Sequence, residues 1–396
     1  MSVRPWRLLI VATHPVQYLS PWLQELADRP EFDLTVWYVI LPDTTQQGVG
    51  FDQAFSWDVP LLEGYTWRCV DNHATKPGLD GFFGSRVRGH GRMLSELAPD
   101  AVLVTGWHQW SLMQIAIGCR IKGIPLLVRG DSNDLGARPP WKRRLQRILL
   151  RLYDGYLYTG SANRGFYLAR GVDECRLFPC PHFVDNSRFA LQDPDRSEAA
   201  ISLRQDWGVA AGDTVFLFVG KLQQKKHPDH LLNAFRMVRE KNPATHLVLV
   251  GDGELRDSLQ HAASKSGSSV TFAGFVNQAE IARYYTAADV LVLPSDSGET
   301  WGLVVNEAMA SGMGVIVSDQ VGCHPDLVIE GNTGFCYPFG NLSQLVDRML
   351  LSCDSTSRMV MVDNGQKRIR QYSSEVASEG LLRALDFIVK TGADRF

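Results

Sequence analysis

TVFLFVGKLQQKKHPDHLLNAFRMVRE, residues 214–240, joins an unbroken apolar run to an amphipathic one. TVFLFVG (214–220) has no polar alternation, which suits a strand buried on both faces of a parallel sheet. HPDHLLNAFRMVRE (227–240) has helical periodicity. The pair is repeated downstream in HLVLVG (246–251), VTFAGF (270–275), DVLVLPS (289–295) and GVIVSD (314–319), with QAEIARYYTAA (278–288) a further amphipathic segment. An earlier series has the same character: RLLIVAT (7–13), DLTVWYVI (33–40), AVLVTG (101–106), PLLVRG (125–130) and GYLYTG (155–160). Strand–helix alternation predicts doubly wound, Rossmann-like α/β units with right-handed crossovers. Two series predict two such domains facing across a cleft, with ligands at the carboxyl ends of the strands.

The polar stretch at about 181–212 reads as an interdomain linker. The expected units span 1–185 and 186–372, with a terminal segment over 373–396. The chain has 396 residues, 45% hydrophobic and 21% charged, with a formal net charge of -3. These values exclude a disordered chain and give no basic surplus for nucleic-acid binding. Its 7 cysteines form no CxxC pair, so neither a disulfide framework nor a cysteine zinc site is expected. Leu8 to Ala12 is too short for a signal-peptide core, and no apolar stretch is long enough to span a bilayer. A cytoplasmic protein, at most at the inner face of the membrane, is expected.

In PSDSGETWGLVVNEAMASGMGVIVSD (294–319) a strand ends at Pro294-Ser295 and a helix begins near Trp301-Gly302. Glu299 precedes that helix and Glu307 lies about two turns further on. A helix N-terminus suits a phosphate, leaving one carboxylate for a sugar hydroxyl and the other for a ribose. A plain helix with an acidic first turn would look the same. After the strand at 214–220, Lys221 and Lys226 can neutralise a diphosphate leaving group, or be a solvated loop.

GETWGLVVNEAMASG resembles the E-x-F-G-L-x-x-x-E-A-M-A-x-G segment of retaining glycosyltransferase family 4, with Trp301 in place of Phe. GKLQQKK resembles that family's G-R-L-x-x-x-K, with Lys221 for Arg and His227 where Gly normally follows. VGDGEL (250–255), TFAGFV (271–276) and GCHPDLVIEGNTGF (322–335) extend the likeness over about 214–340. The resemblance implies a GT-B fold and retaining sugar transfer from a nucleotide diphosphate sugar, of hexosyl or N-acetylhexosaminyl type, with a UDP-sugar favoured over a GDP-sugar. It assigns Glu299 to the transferred sugar, Lys221 and Lys226 to the diphosphate, and the backbone N–H groups of Trp301, Gly302 and Leu303 to the same cradle. Glu307, Gly251, Asp252, Gly253, Glu254, Phe275 and Val276 fall at the ribose and base. A phosphorylase or non-glycosidic coupling enzyme of the same fold, or a silent nucleotide-sugar-binding protein, stays open.

In the first half, His108 of TGWHQW (105–110) sits where the family carries a catalytic-site histidine. His14, Gln17 and Tyr18 follow the first strand, and Arg129 and Asp131 follow another, as acceptor-side candidates. No metal is expected. Two lysines and the helix terminus already approximate the charge of the diphosphate, and the Asp193-Pro194-Asp195 pattern reads as a solvated turn. RPPWKRRLQRILLRLY (138–153) is basic and amphipathic, a candidate for peripheral membrane contact. Its regular place in the series favours a domain helix packing its apolar stripe on the sheet. Base, sugar, acceptor and oligomeric state are not set by these residues.

Overall fold

In the computed structural model, the chain is described over residues 4–79, 81–190, 194–264 and 269–392. The chain divides into two compact units. Unit 1 comprises 1–47, 59–182 and 374–396, and unit 2 comprises 48–58 and 183–373. The divisions expected from the sequence lie at 185/186 and 372/373.

Unit 1 holds β1 (Trp6–Ala12), β2 (Phe32–Tyr38), β3 (Thr66–Cys69), β4 (Ala101–Val104), β5 (Leu126–Gly130), β6 (Gly155–Tyr158) and β7 (Leu177–Pro179). They form a 7-stranded sheet of order β3-β2-β1-β4-β5-β6-β7, every neighbouring pair parallel. Leu9, Val11, Val102, Val104, Leu126 and Val128 form one face of its core, all essentially inaccessible. The terminal helix Ser374–Gly392 packs on β6, β7 and helix Ser20–Asp28. There the Trp22 indole N–H donates to Ser378 Oγ at 2.9 Å, and that hydroxyl donates to Glu25 at 2.9 Å.

Unit 2 holds β8 (Thr214–Val219), β9 (Thr245–Val250), β10 (Val270–Gly274), β11 (Val290–Leu293), β12 (Gly314–Ser318) and β13 (Phe335–Tyr337). Their order is β10-β9-β8-β11-β12-β13, again all parallel. Phe216, Phe218, Leu247, Leu249, Val292 and Ile316 fill one side of this sheet. Burial on both faces explains the unbroken apolar runs. In both sheets the strand order reverses between the first strand and its crossover neighbour. These switch points lie at β1/β4 and β8/β11, where an open α/β sheet leaves a crevice at its carboxyl edge.

Two expectations are corrected. The stretch at 181–212 is not a bare linker: it contains helices Asn186–Phe189 and Pro194–Asp206, and the second packs on helix Gln278–Ala287. Phe189 is buried against Tyr285 at 5.7 Å, because an aromatic in a polar stretch still needs an apolar partner. Helix Pro140–Leu150 also departs from the sequence reading. Trp141 is 61% exposed, Leu145 47% and Ile148 61%, and within the helix only Leu150 is buried. The helix is held instead through Gln146, which accepts from the buried Arg170 guanidinium at 2.8 Å. The apolar stripe therefore faces outward.

Candidate functional site

In unit 2 the loop after β8 carries Gly220 to His227, and the loop after β11 carries Ser295 to Gly302. Both emerge at the β8/β11 switch point. Lys226 donates from Nζ to Glu299 Oε2 in a direct ion pair, each side chain 15% exposed. Ser295 Oγ donates to the same oxygen at 3.5 Å. The Glu299 backbone is set by its own N–H to Asp296 O (3.0 Å) and by its carbonyl, which accepts from Gly322 (3.0 Å). The two residues assigned to sugar and diphosphate thus bind one another.

Gly302 precedes helix Leu303–Ala310 with φ +97, and a Cβ there would meet Leu293 at 2.9 Å and Val321 at 3.0 Å. Glycine is needed to turn the chain into the helix against β11. Trp301 is buried, its indole N–H donating to Asn306 Oδ1 at 2.9 Å, so this ring fixes the turn internally. Leu303 opens the helix, whose first N–H groups have no intrahelical acceptor.

Glu307 lies in that helix and is 1% exposed. Its carboxylate accepts the Tyr285 hydroxyl at 2.5 Å. It is an interior group, held by Tyr285. The helix faces it inward, toward Tyr285 on the neighbouring helix.

The loop after β9 approaches the loop after β8 backbone to backbone. Leu222 N–H donates to Asp252 O at 2.8 Å, and Gly251 N–H to Gly274 O at 2.8 Å. A Cβ on Gly253 (φ +145) would lie 2.9 Å from Leu222 O and 3.1 Å from Gly50 O. Asp252 pairs with Arg256 at 2.5 Å, and Glu254 accepts from Gln224 N–H at 3.4 Å.

Gly50 belongs to a strap, residues 48–58, that the sequence reading missed. Phe51 and Phe55 pack on Phe275 at centroid distances of 5.0 and 4.4 Å. Asn277, next to Val276, donates to Ser56 O at 2.8 Å, and Ala279 N–H to Asp58 at 2.9 Å. Lys221 donates to Val49 O and lies 4.8 Å from the Phe51 ring centroid. Lys221 and Lys226 therefore have different partners, the strap and Glu299. Local pattern gives no signal for a contact made across so much intervening chain.

In unit 1 the β1/β4 switch point brings His14 and His108 together. His14 Nδ1 lies 2.9 Å from Thr13 Oγ1. Burial, with the nearby His108 adding to it, pulls the His14 pKa down to about 4. Burial also lowers that of His108, opposed by Asp131. Gln17 and Tyr18 are half-buried just beyond. Arg129 donates to Cys180 Sγ (3.1 Å) and Pro181 O (3.0 Å), and His182 Nε2 lies 3.9 Å from Asp131. His182 is the addition here, and nothing in PCPHF singled it out. A cavity of about 380 Å³ elsewhere in this unit is lined by Arg147, Arg151, Arg170 and Arg176. Asp193-Pro194-Asp195 lies outside the residues whose side chains are described. No helix among the described residues is long and apolar enough to cross a membrane.

Residues 201–368 match the family model described as glycosyl transferases group 1. An uncharacterised glycosyltransferase of Methanocaldococcus jannaschii is 35% identical over 181 residues, 45% of each chain. A GDP-mannose-dependent alpha-mannosyltransferase of Mycobacterium tuberculosis is 34% identical over 218 residues, 55% of this chain and 50% of the relative. The chain thus spans about half the length of these curated relatives. Anabaena HepE, solved with UDP and glucose, has a TM-score of 0.72 at 18% identity, covering 96% of this chain and 99% of that one. Sucrose-phosphate synthase of Thermosynechococcus elongatus gives 0.68 at 20% identity, over 97% and 100%. At such identities the likeness is one of fold: both are glycosyltransferases of the GT-B architecture.

Proposed function

We propose that the protein transfers a sugar from a nucleotide diphosphate sugar to an acceptor hydroxyl with retention, as family 4 enzymes with a Glu-x7-Glu pair do. The observation that carries this reading is the Lys226–Glu299 pair at the β8/β11 switch point, within the segment that matches the group 1 model. The pair holds one cation and one carboxylate in reserve. A donor exchanges their mutual contact for two better ones, diphosphate oxygens on Lys226 and sugar hydroxyls on Glu299. As the anomeric carbon–oxygen bond breaks, negative charge grows on the diphosphate. Lys226 and the N–H groups at Trp301, Gly302 and Leu303 stabilise that charge. The departing phosphate takes the acceptor's proton on the same face, so no second carboxylate is needed as nucleophile. Lys221 adds charge at the edge of the site.

Gly251 to Glu254 and Phe275 border the nucleoside, joined in this reading by Phe51 and Phe55. Glu307 holds the ribose, with Tyr285 fixing its carboxylate. His108 is the catalytic-site histidine, His14 and Asp131 serve the acceptor side, and no metal takes part on the diphosphate. UDP as donor base is favoured, although the names of relatives include a GDP-sugar enzyme.

The test is nucleotide release with UDP-, GDP- and ADP-sugars against a panel of acceptor hydroxyls, scored with a thermal-shift screen. A ligand at 100 times its Kd adds about 2.7 kcal/mol of stability. Sugar 1-phosphate formed only with inorganic phosphate would make it a phosphorylase. Binding without turnover would make it a silent binder.

A second reading concerns the acceptor. The outward Trp141, Leu145 and Ile148, ringed by Lys142, Arg143, Arg144 and Arg147, favour peripheral contact with an anionic lipid surface. Flotation with anionic vesicles should recover the protein, and Trp141→Glu with Ile148→Glu should release it. Equal recovery of both proteins on neutral vesicles would remove this reading.

A further inference from the structure

We infer that His227, Asp229 and His230 form a binding site for a borderline divalent cation such as Zn²⁺, distinct from the diphosphate site. One ligand atom from each of the three lies within 4.8 Å of the others. His227 Nδ1 and Asp229 Oδ1 are buried, 3.9 Å apart, and neither has a hydrogen-bond partner among the described residues. That gap is too long for a hydrogen bond. Two metal bonds of about 2.1 Å at a tetrahedral angle span roughly 3.4 Å, so this pair must close by about half an ångström and atoms as far apart as 4.8 Å by about 1.4 Å.

Three further observations bear on the same point. His227 Nε2 faces Asp296 Oδ2 at 3.3 Å. This is the carboxylate–histidine arrangement that orients a metal-bound imidazole from behind. His227 stands at φ +47, an uncommon setting for a residue with a Cβ. Residues held in such conformations concentrate at ligand clamps. Finally, Tyr337 is 1% exposed and its hydroxyl has no partner among the described residues. It lines a cavity of about 200 Å³ together with His230, Asn233 and Gly340. That cavity adjoins His230 and leaves room for water.

The His227 and His230 rings stack at 4.5 Å with 26° between planes, so one ring must tilt for both to reach a common ion. Two imidazoles and one carboxylate suit Zn²⁺ and its neighbours better than Mg²⁺, which prefers oxygen ligands. Lys226 precedes His227 and Asp296 lies three residues before Glu299, and the His227–Asp296 contact already links the two loops without a metal.

The full chain, stripped with chelator and desalted, is titrated with Zn²⁺ by calorimetry and followed by thermal melting. One equivalent should bind with a rise in Tm. His230→Gln should weaken binding at least tenfold. His227→Gly removes a ligand while suiting the left-handed turn. It should melt above the wild-type protein without metal and below it with Zn²⁺. His261→Gln, outside the cluster, should bind as wild type. No stoichiometric binding to a folded wild-type chain, or equal binding by His227→Gly, overturns the assignment. Sugar transfer enters none of these readouts, so the test stands apart from the proposed activity.

Discussion

Replacing Lys226 by Ala isolates the leaving-group argument. Lys226 and Glu299 are each 15% exposed, so their surroundings are neither bulk water nor a dry interior. At an effective dielectric near 20, unit charges about 4 Å apart interact by about 4 kcal/mol. Part of that is already present with bound donor, and the remainder develops as the diphosphate departs. Losing one preorganised donor of this kind costs about 2.7–4 kcal/mol, or 10²–10³ in kcat. The same change leaves Glu299 with Ser295 as its remaining hydroxyl donor among the contacts described, at 3.5 Å. An unpaired, mostly buried acid costs on the order of 1–3 kcal/mol of stability. Lys226→Ala should therefore be slow and less stable. Glu299→Ala should also be slow, and the double variant should melt above Lys226→Ala because no lone charge remains. A coupling energy of about 1–2 kcal/mol is expected from the cycle. The assay pairs nucleotide-release kinetics with thermal melting of all four proteins. Turnover of Lys226→Ala within threefold of wild type would refute the reasoning, whatever its stability.

Other outcomes follow from neighbouring groups. Lys221→Ala should reduce kcat/KM less than Lys226→Ala, because Lys221 is committed to the strap; the reverse ranking in the same assay would exchange their roles. Glu307→Ala removes the acceptor of the Tyr285 hydroxyl bond and should weaken free-nucleotide binding in calorimetry, whereas Glu299→Ala should leave nucleotide affinity nearly unchanged. EDTA should leave turnover at saturating donor within about twofold; activity lost with EDTA and restored by Mg²⁺ would instead place a metal on the diphosphate. His14 and His246 are both brought down to about 4, chiefly by burial. Their unfolded values lie near 6.5. Between those limits the unfolded chain binds more protons, so stability should fall as pH drops from about 6.5 toward 4. His14→Gln should flatten that slope, and melting temperatures measured across the range check it.

What the sequence made legible follows from where side chains lie. Strands buried on both faces, such as Leu8 to Val11 and Val290 to Leu293, read directly as apolar runs. β3 did not, since none of its residues is buried. β7 and β13 are sheet edges only three residues long, too short for any period to register. Glu299 and Lys226 were visible because strand ends and helix starts are local features. Their mutual pairing was not, and neither was the inward turn of Glu307, because both depend on elements brought together by the fold. The outward stripe at Trp141, Leu145 and Ile148 shows the same limit. Periodicity identifies an apolar face but not what covers it.

The chain passes between its units after Gln47, Asp58, His182 and Ser373. This gives the protein a clock. Phe51 and Phe55 leave the ribosome well before Phe275, the ring on which they rest, roughly 220 residues later. At about 5–20 residues per second, these rings wait on the order of 10–45 s for their partner. Throughout that interval they lack the ring that packs on them in unit 2. Unit 2 therefore closes only when a segment made early meets one made late, so slowing translation between residues 60 and 275 lengthens the exposure of this one strap.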